Sequence, residues 1–154
     1  MVRAAPRARA NLLTPLLNAP PPFYLFFAPA EPLVRHLEGN GVEFSTFAFR
    51  WMNCLLLREL PLHLIVRLWD TYIAEARNGA VRDGFHTFHV YVCGALLLRF
   101  SKTLLAMPTF GELLPFLQKL PTREWSVKDI EELVSQAFVH KSCFGAAPSH
   151  LTSS

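Results

Sequence analysis

The chain has 154 residues, of which 51% are apolar and 18% are charged, so it can form one domain with a sizeable core. The net charge of +3 is mild and no basic stripe runs along the chain, which argues against nucleic-acid binding. The three cysteines form no C-x-x-C pair, so neither a disulfide framework nor a zinc ribbon is predicted. No apolar run reaches the roughly 18 residues that a membrane-spanning helix needs.

Residues 1–30 are rich in Pro, Ala and Arg and show no sustained periodicity, so we predict a disordered leader there. This segment contains arginines but no acidic residue, a composition that is also typical of transit peptides. However, prolines recur from Pro6 to Pro29, and they would interrupt an amphipathic targeting helix or the apolar segment of a signal peptide.

From residue 31 onward the pattern turns helical. A short helix is predicted over 32–38, because Gly39-Asn40-Gly41 stops it. Apolar residues at helical spacing predict a second, largely buried helix over 43–60. Pro61 suits the first turn of a third helix, which carries the apolar face from Leu64 to Tyr72.

The polar segment 75–84 is predicted to be a surface loop, and Asp83 can cap the next helix, over 85–107. Thr109 and Glu112 form a capping-box pattern before a short helix to Leu120 that contains Pro115. Ser126 and Asp129 mark the start of a last helix, whose face runs from Ile130 to Phe138. With no strand signal, the sequence predicts an all-α bundle of about five to six helices.

Charged residues interrupt the two apolar helices on either side of Pro61. An unpaired charge in such a setting would be costly, so we predict ion pairs that lock the two helices, with Arg50 facing Asp70. The predicted set is Arg50, Glu59, Arg67 and Asp70. Acid–base catalysis by Glu59 or Asp70 is the alternative, but it would need a cleft and a partner group that the sequence does not identify.

Two further constellations carry candidate chemistry. His86, His89 and Cys93 share one helix face at a spacing that could offer ligands to zinc, although no fourth ligand is evident and packing explains them as well. Cys54 and His63 could form a nucleophile pair across the proline turn, but nothing supplies an oxyanion hole, and a buried thiol explains Cys54 better. We therefore assign no catalytic, cofactor-binding or metal-binding residue.

The runs F-R-W-M-N-C-L-L-L-R-E-L-P-L and R-L-W-D-T-Y, between Phe49 and Tyr72, resemble the C-terminal half of TBC domains, the catalytic modules of Rab GTPase-activating proteins. The likeness continues through D-G-F-H-T-F-H-V-Y-V-C, Q-K-L-P-T-R-E-W and F-G-A-A-P-S-H, and it is most similar to the branch of TBC1 domain family member 22. It identifies 31–150 as a partial TBC domain, its C-terminal subdomain. The segment 77–82 resembles an insertion in a turn that is shorter in the family.

The resemblance implies a mechanism in which the activating protein supplies an arginine and a glutamine to the GTPase site, from I-x-x-D-x-x-R and Y-x-Q motifs. Neither motif occurs in this sequence, and the two glutamines, Gln118 and Gln136, stand in other contexts. The expected function is therefore that of a partial Rab-type GTPase activator, which regulates vesicle trafficking in a full-length form but is inactive as this fragment. It is not itself an enzyme and needs no cofactor.

The alternative is a non-catalytic helical module that binds a small GTPase or an adaptor. The first interpretation implies a Rab-family partner, and the resemblance also implies a cytoplasmic location, with Golgi or endomembrane association through peripheral recruitment by that partner. Half of a domain should also expose apolar surface where the other half would pack, so we expect self-association.

Overall fold

The computed structural model describes residues 30–77 and 83–144. All regular structure in these two ranges is helical, as the sequence predicted, and no strand occurs in them. The helices are α1 (Glu31–Gly39), α2 (Ser45–Asn53), α3 (Leu62–Arg77), a π-helical segment (Asp83–Phe88), α4 (His89–Arg99), α5 (Ser101–Leu105), α6 (Phe110–Gln118) and α7 (Val127–Phe144). The predicted leader, the predicted insertion beyond residue 77 and the F-G-A-A-P-S-H segment lie largely or wholly outside the described residues.

The first helix forms where it was predicted. Pro32 occupies the first turn of α1, where its missing N–H is not needed. Gly41 ends the connection with φ +76°, a conformation that glycine adopts without steric cost, and Val42 then returns to the core. The His36 side chain bonds to the Met107 carbonyl at 2.9 Å and so ties α1 to the chain that follows α5.

The predicted second helix is shorter than expected, because α2 ends at Asn53 and residues 54–60 form a series of turns. Leu55 and Leu56 have φ of +49° and +61°, which is the left-handed region that leucine rarely adopts. Burial accounts for the exception, since the Leu56 side chain is completely enclosed in the core. The prediction of one helix over 43–60 was therefore wrong after residue 53.

The third helix begins after Pro61 as predicted, but it continues through residues that were predicted to be loop. Glu75 lies within α3, and its carboxylate accepts a hydrogen bond from Lys141 of α7 at 2.6 Å. This contact between distant parts of the chain stabilises the last turn of α3, and no local pattern would reveal it. The core face of α3 consists of Leu64, Ile65, Leu68 and Tyr72.

The single helix predicted over 85–107 divides into three pieces. A π-helical segment precedes α4, and Phe100, with φ −95° and ψ 6°, separates α4 from α5. The Phe100 ring stacks on Trp125 with a centroid separation of 5.9 Å, so tertiary packing accompanies the break. The predicted cap by Asp83 falls on a side chain outside the described set.

The last two helices agree with the sequence. α6 starts after Thr109 and accommodates Pro115 in its interior, although the Thr109 hydroxyl bonds to the Glu112 carboxylate rather than to a backbone N–H. Asp129 accepts bonds from both the N–H and the hydroxyl of Ser126 at the start of α7. α4 is buried on nearly all sides and packs chiefly against α7, so α4 forms the centre of the bundle.

Candidate functional site

The charged residues between α2 and α3 form an ion pair, but with a different partner from the one predicted. Arg50 Nε donates to Glu59 Oε1 at 2.6 Å, and Arg50 Nη2 donates to the Gln118 carbonyl at 2.7 Å. The Glu59 side chain is only 1% exposed, whereas that of Arg50 is 27% exposed. Arg50 therefore neutralises a buried carboxylate and also connects α2 to the end of α6.

The turn segment 54–60 is held from two further sides. The Thr122 hydroxyl donates to the Glu59 carbonyl, and the Trp69 indole N–H donates to the Leu55 carbonyl at 3.2 Å. These bonds satisfy backbone groups that the broken helix leaves without intrahelical partners. The segment is thus fixed by α2, α3 and the chain after α6 together.

The predicted pairing of Arg50 with Asp70 is wrong. Asp70 is exposed on α3 and forms no ion pair within 30–77 or 83–144, while Arg67 lies 3.7 Å from Glu131 of α7. Arg67 and Glu131 are 46% and 56% exposed, so this contact contributes little to stability. Of the four predicted clamp residues, only Arg50 and Glu59 pair with each other.

Acid–base catalysis by these carboxylates receives no support from their positions. Glu59 is enclosed and paired with Arg50, and Asp70 has no acid–base partner among the described side chains. The second Glu59 oxygen, Oε2, has no hydrogen-bond partner in the described part of the chain.

The buried His89 is the centre of a polar network that joins three helices. Its Nε2 lies 3.0 Å from the Trp51 carbonyl in α2, which can only accept, so Nε2 carries the proton. Its Nδ1 therefore accepts from the Tyr72 hydroxyl of α3 at 2.7 Å. The Cys93 sulfur lies 3.4 Å from Nε2. The geometry defines one neutral tautomer with both nitrogens engaged.

The environment of this network keeps its members uncharged. Burial lowers the pKa of His89 to about 4, a shift that the bond to the Trp51 carbonyl partly opposes and nearby His86 reinforces. Burial also raises the pKa of the Tyr72 hydroxyl and that of the Cys93 thiol. A thiol held in its protonated form is a poor nucleophile, so Cys93 packs as a small apolar group.

The two candidate sites for zinc and for nucleophilic chemistry are not assembled. His89 is enclosed with both nitrogens bonded, whereas His86 is exposed, and the described residues contain no His, Cys, Asp and Glu cluster that could hold a metal ion. His63 is exposed, Cys54 is half-buried, and no hydrogen bond joins them in the described part of the chain. The sequence spacing indicated that His89 could take part in a polar site, but it did not indicate its hydrogen-bond partners, Tyr72 and the Trp51 carbonyl.

A second electrostatic cluster was not predicted from the sequence. Arg99, the last residue of α4, donates to Asp129 at 2.7 Å and to Glu132 at 3.3 Å, both on α7. Its guanidinium also lies 4.7 Å from the centroid of the Trp125 ring, within cation–π range. The bonds from Ser126 and the charge of Arg99 lower the pKa of Asp129. This cluster fixes the packing of α4 against α7.

Large apolar side chains remain exposed on several helices of the described structure. Phe49 is 71% exposed on the outer face of α2, and Leu57 is 46% exposed in the turn segment 54–60. Three more, Leu62, Val66 and Ile73, follow one another along α3. Within the described ranges, no helix has both the length and the apolar character that crossing a membrane requires.

Comparison with known proteins identifies the fold to which these features belong. The Rab-GTPase-TBC domain family matches residues 25–105, which is just over half of the chain. This chain belongs to the Rab-GTPase-TBC domain family. The matched range contains α2, α3 and all four residues of the His89 network, Trp51, Tyr72, His89 and Cys93.

Individual relatives extend the match beyond α5. GTPase-activating protein gyp1 of Schizosaccharomyces pombe is 52% identical over 121 residues, which is 79% of this chain and 22% of that protein. TBC1 domain family member 22A of Homo sapiens is 48% identical over 120 residues, again 22% of its length. The chain thus spans about a fifth of the length of these relatives. The resemblance to the member 22 branch is confirmed.

A solved structure agrees with the helical architecture. The crystal structure of the Ypt/Rab-GAP domain of Gyp1p superposes with a TM-score of 0.65 at 36% sequence identity, covering 86% of this chain and 43% of that one. The all-α prediction is therefore confirmed by both the described helices and a solved TBC domain. The assignment of residues 31–150 to a C-terminal subdomain stays a prediction.

Proposed function

We propose that this chain is a TBC scaffold that binds a Rab-type small GTPase without accelerating GTP hydrolysis, and that a longer form carrying the catalytic motifs would act as the GTPase activator. The relatives of this chain include proteins named as GTPase-activating proteins, which supports the partner class. The observation that carries the proposal is the absence of I-x-x-D-x-x-R and Y-x-Q from the sequence.

Two arginines of the described structure, Arg50 and Arg99, are held in contacts within the bundle, which supports the proposed lack of GTPase activation. An arginine finger must be free to enter the partner's site. Arg50 is bonded to Glu59 and to the Gln118 carbonyl, and Arg99 is bonded to two carboxylates of α7. These side chains could reach a GTPase only by breaking contacts that hold the bundle together.

Single-turnover GTP hydrolysis tests the proposal. A panel of GTP-loaded Rab proteins would be mixed with an excess of this chain, with the Gyp1p Rab-GAP domain as positive control, and phosphate release would be followed. We expect rates within about twofold of the intrinsic rate, because an arginine finger alone is worth roughly 10³–10⁵ in rate. A tenfold stimulation would contradict the proposal, and loss of that stimulation in Arg58→Ala would identify the exposed turn arginine as its source.

Binding measurements separate this function from the second candidate, an interaction module for a non-GTPase adaptor. Each Rab would be titrated with the chain in its GTP-loaded and GDP-loaded forms, and calorimetry would give both affinities. Saturable binding to at least one Rab with preference for the GTP form supports the proposal. Absence of binding to every Rab would favour the adaptor alternative. The same partner would recruit the chain to Golgi or endomembrane surfaces.

A further inference from the structure

Basic side chains from two separate segments lie at one end of the bundle. Arg58 belongs to the turn segment 54–60, whereas Lys119 and Arg123 belong to the connection between α6 and α7, and all three are exposed. Within 30–77 and 83–144, none of them forms an ion pair or a side-chain hydrogen bond. We call these three residues the basic end.

Two hydrogen bonds hold these segments next to each other. The Thr122 hydroxyl donates to the Glu59 carbonyl, and each of these residues is the chain neighbour of one arginine of the basic end. Because consecutive Cα atoms are about 3.8 Å apart, the Cα atoms of the two arginines lie within about 15 Å of each other. The bond from Arg50 to the Gln118 carbonyl, at 2.7 Å, fixes the residue that precedes Lys119.

The carboxylates near this end leave its positive charge largely uncompensated. Glu59 is enclosed and paired with Arg50. Two carboxylates in the first two turns of α7 share Arg99, and the exposed Lys128 is on the same turns. Glu124 is exposed in the connection between α6 and α7 and offsets only one of the three cations. The surface is therefore basic, which linear inspection of the sequence did not reveal.

Exposed leucines accompany these cations. Leu57, 46% exposed, directly precedes Arg58, and Leu62, the first residue of α3, is 70% exposed. Long basic side chains can hold their charge at the level of lipid phosphates while neighbouring leucines enter the boundary of the acyl chains. Free cations beside exposed leucines are typical of surfaces that lie on an anionic bilayer.

A bilayer matches this surface better than an acidic protein does. The three cations come from two segments, and no described side chain holds them in one geometry. A protein partner would need carboxylates and a surface shape that fit such an arrangement. Lipid headgroups move laterally and can gather around cations at any spacing, so a bilayer needs no matching shape.

We propose that the basic end is a peripheral membrane contact, in which the three cations bind the phosphate groups of anionic lipids and Leu57 and Leu62 enter the interface. Each cation should strengthen the binding roughly fivefold. Three cations and two leucines give a weak and reversible contact rather than a permanent anchor. This contact does not rest on the proposed binding of a GTPase.

Co-sedimentation of the full chain with lipid vesicles tests the proposal. One set of vesicles contains phosphatidylcholine alone, and the other contains phosphatidylcholine and phosphatidylserine in equal parts. We expect binding to the second set that weakens as salt is added, and little binding to the first, because salt screens the attraction between exposed charges. Equal binding to both sets would overturn the proposal.

Two exposed arginines provide a matched pair of variants. Arg58→Glu should weaken binding to the anionic vesicles by at least about tenfold, because it replaces an attractive charge with a repulsive one. Arg35→Glu makes the same change in net charge on α1, where Arg35 has only an exposed contact with Glu31, and should bind within about twofold of the native chain. Equal effects of the two variants would show that net charge, rather than the basic end, controls binding.

Two leucines of similar exposure test the apolar part. Leu57 and Leu105 are 46% and 44% exposed, but Leu105 ends α5. We expect Leu57→Ser to weaken vesicle binding by about threefold or more and Leu105→Ser to leave it unchanged. Circular dichroism melts would verify that every variant folds. Equal effects of the two leucine variants would contradict the proposal. It would also fail if Arg58→Glu abolished binding to a GTP-loaded Rab but left vesicle binding unchanged, since the basic end would then be a protein contact.

Discussion

At His89, a neutral imidazole enclosed by protein connects α2, α3 and α4 through bonds at both ring nitrogens. The Trp51 carbonyl fixes the tautomer because it can only accept, and the Tyr72 hydroxyl then completes the pattern as donor. Protonation of Nδ1 would reverse this bond, with the Tyr72 hydroxyl accepting, and would place a positive charge in the buried site. Burial of that charge opposes protonation, so the folded state favours the neutral imidazole.

This coupling predicts that the protein loses stability in mild acid. The folded-state pKa of His89 is about 4, below the usual value of 6.5 in an unfolded chain, so the unfolded state binds a proton first as pH falls. The stabilisation that arises from keeping His89 neutral is complete above pH 6.5, and it declines as the pH falls from 6.5 to 4. We expect the free energy of unfolding to fall by roughly 3 kcal/mol across that window from this residue, measured by urea titration.

The histidine variants show whether His89 is responsible. His89→Gln removes the titratable ring and should flatten the pH dependence between pH 6.5 and 4, even though its stability at neutral pH is lower. His63→Gln, at an exposed histidine on α3, should keep the native slope. Equal slopes for His89→Gln and the native chain would show that the buried imidazole does not control the acid response.

At the scale of single elements, the turn segment 54–60 combines a costly backbone with a buried side chain. Replacing Leu55 or Leu56 by Gly removes the steric strain of a leucine with positive φ, and it raises the conformational entropy of the unfolded chain by a similar amount. The backbone contributions to stability therefore cancel when the two variants are compared. The difference reports side-chain burial, which is complete for Leu56 and partial for Leu55. Leu56→Gly should be less stable than Leu55→Gly by about 2–5 kcal/mol in denaturant titrations. Equal stabilities would mean that Leu56 does not anchor the turn.

The same segment shows what the sequence could and could not predict. Periodicity and capping residues located α1, the start of α3, α6 and α7, because these signals are local. The end of α2 has no local stop signal, because residues 55–57 are three leucines, which favour continuing a helix. Tertiary burial of Leu56 overrides that preference. In the candidate site, the need for ion pairs was predicted from apolar surroundings. The partner of each charged residue depends on the direction that the chain takes after α2 ends. The predicted pairing of Arg50 with Asp70 was therefore wrong.

At the scale of the molecule, the Arg50–Glu59 pair connects elements that are far apart in the sequence. Arg50 contacts Glu59 and the Gln118 carbonyl, while Thr122 bonds to the Glu59 backbone. α2, the turn segment, α6 and the chain toward α7 are thus held at one point. This junction fixes the relative positions of these elements, and its stability depends on the balance of one buried charge.

Removing only Arg50 from this ion pair should lower the free energy of unfolding more than removing both Arg50 and Glu59. Arg50→Met leaves the Glu59 carboxylate, 1% exposed, without its counter-charge, and we expect a loss of about 3 kcal/mol in urea unfolding at neutral pH. The double variant Arg50→Met with Glu59→Met removes the buried charge as well, so it should be more stable than the single variant by about 1–2 kcal/mol. A double variant that is less stable than Arg50→Met would instead show that Glu59 stabilises the turn through contacts other than the arginine, with Thr122→Val as the variant that tests the backbone bond.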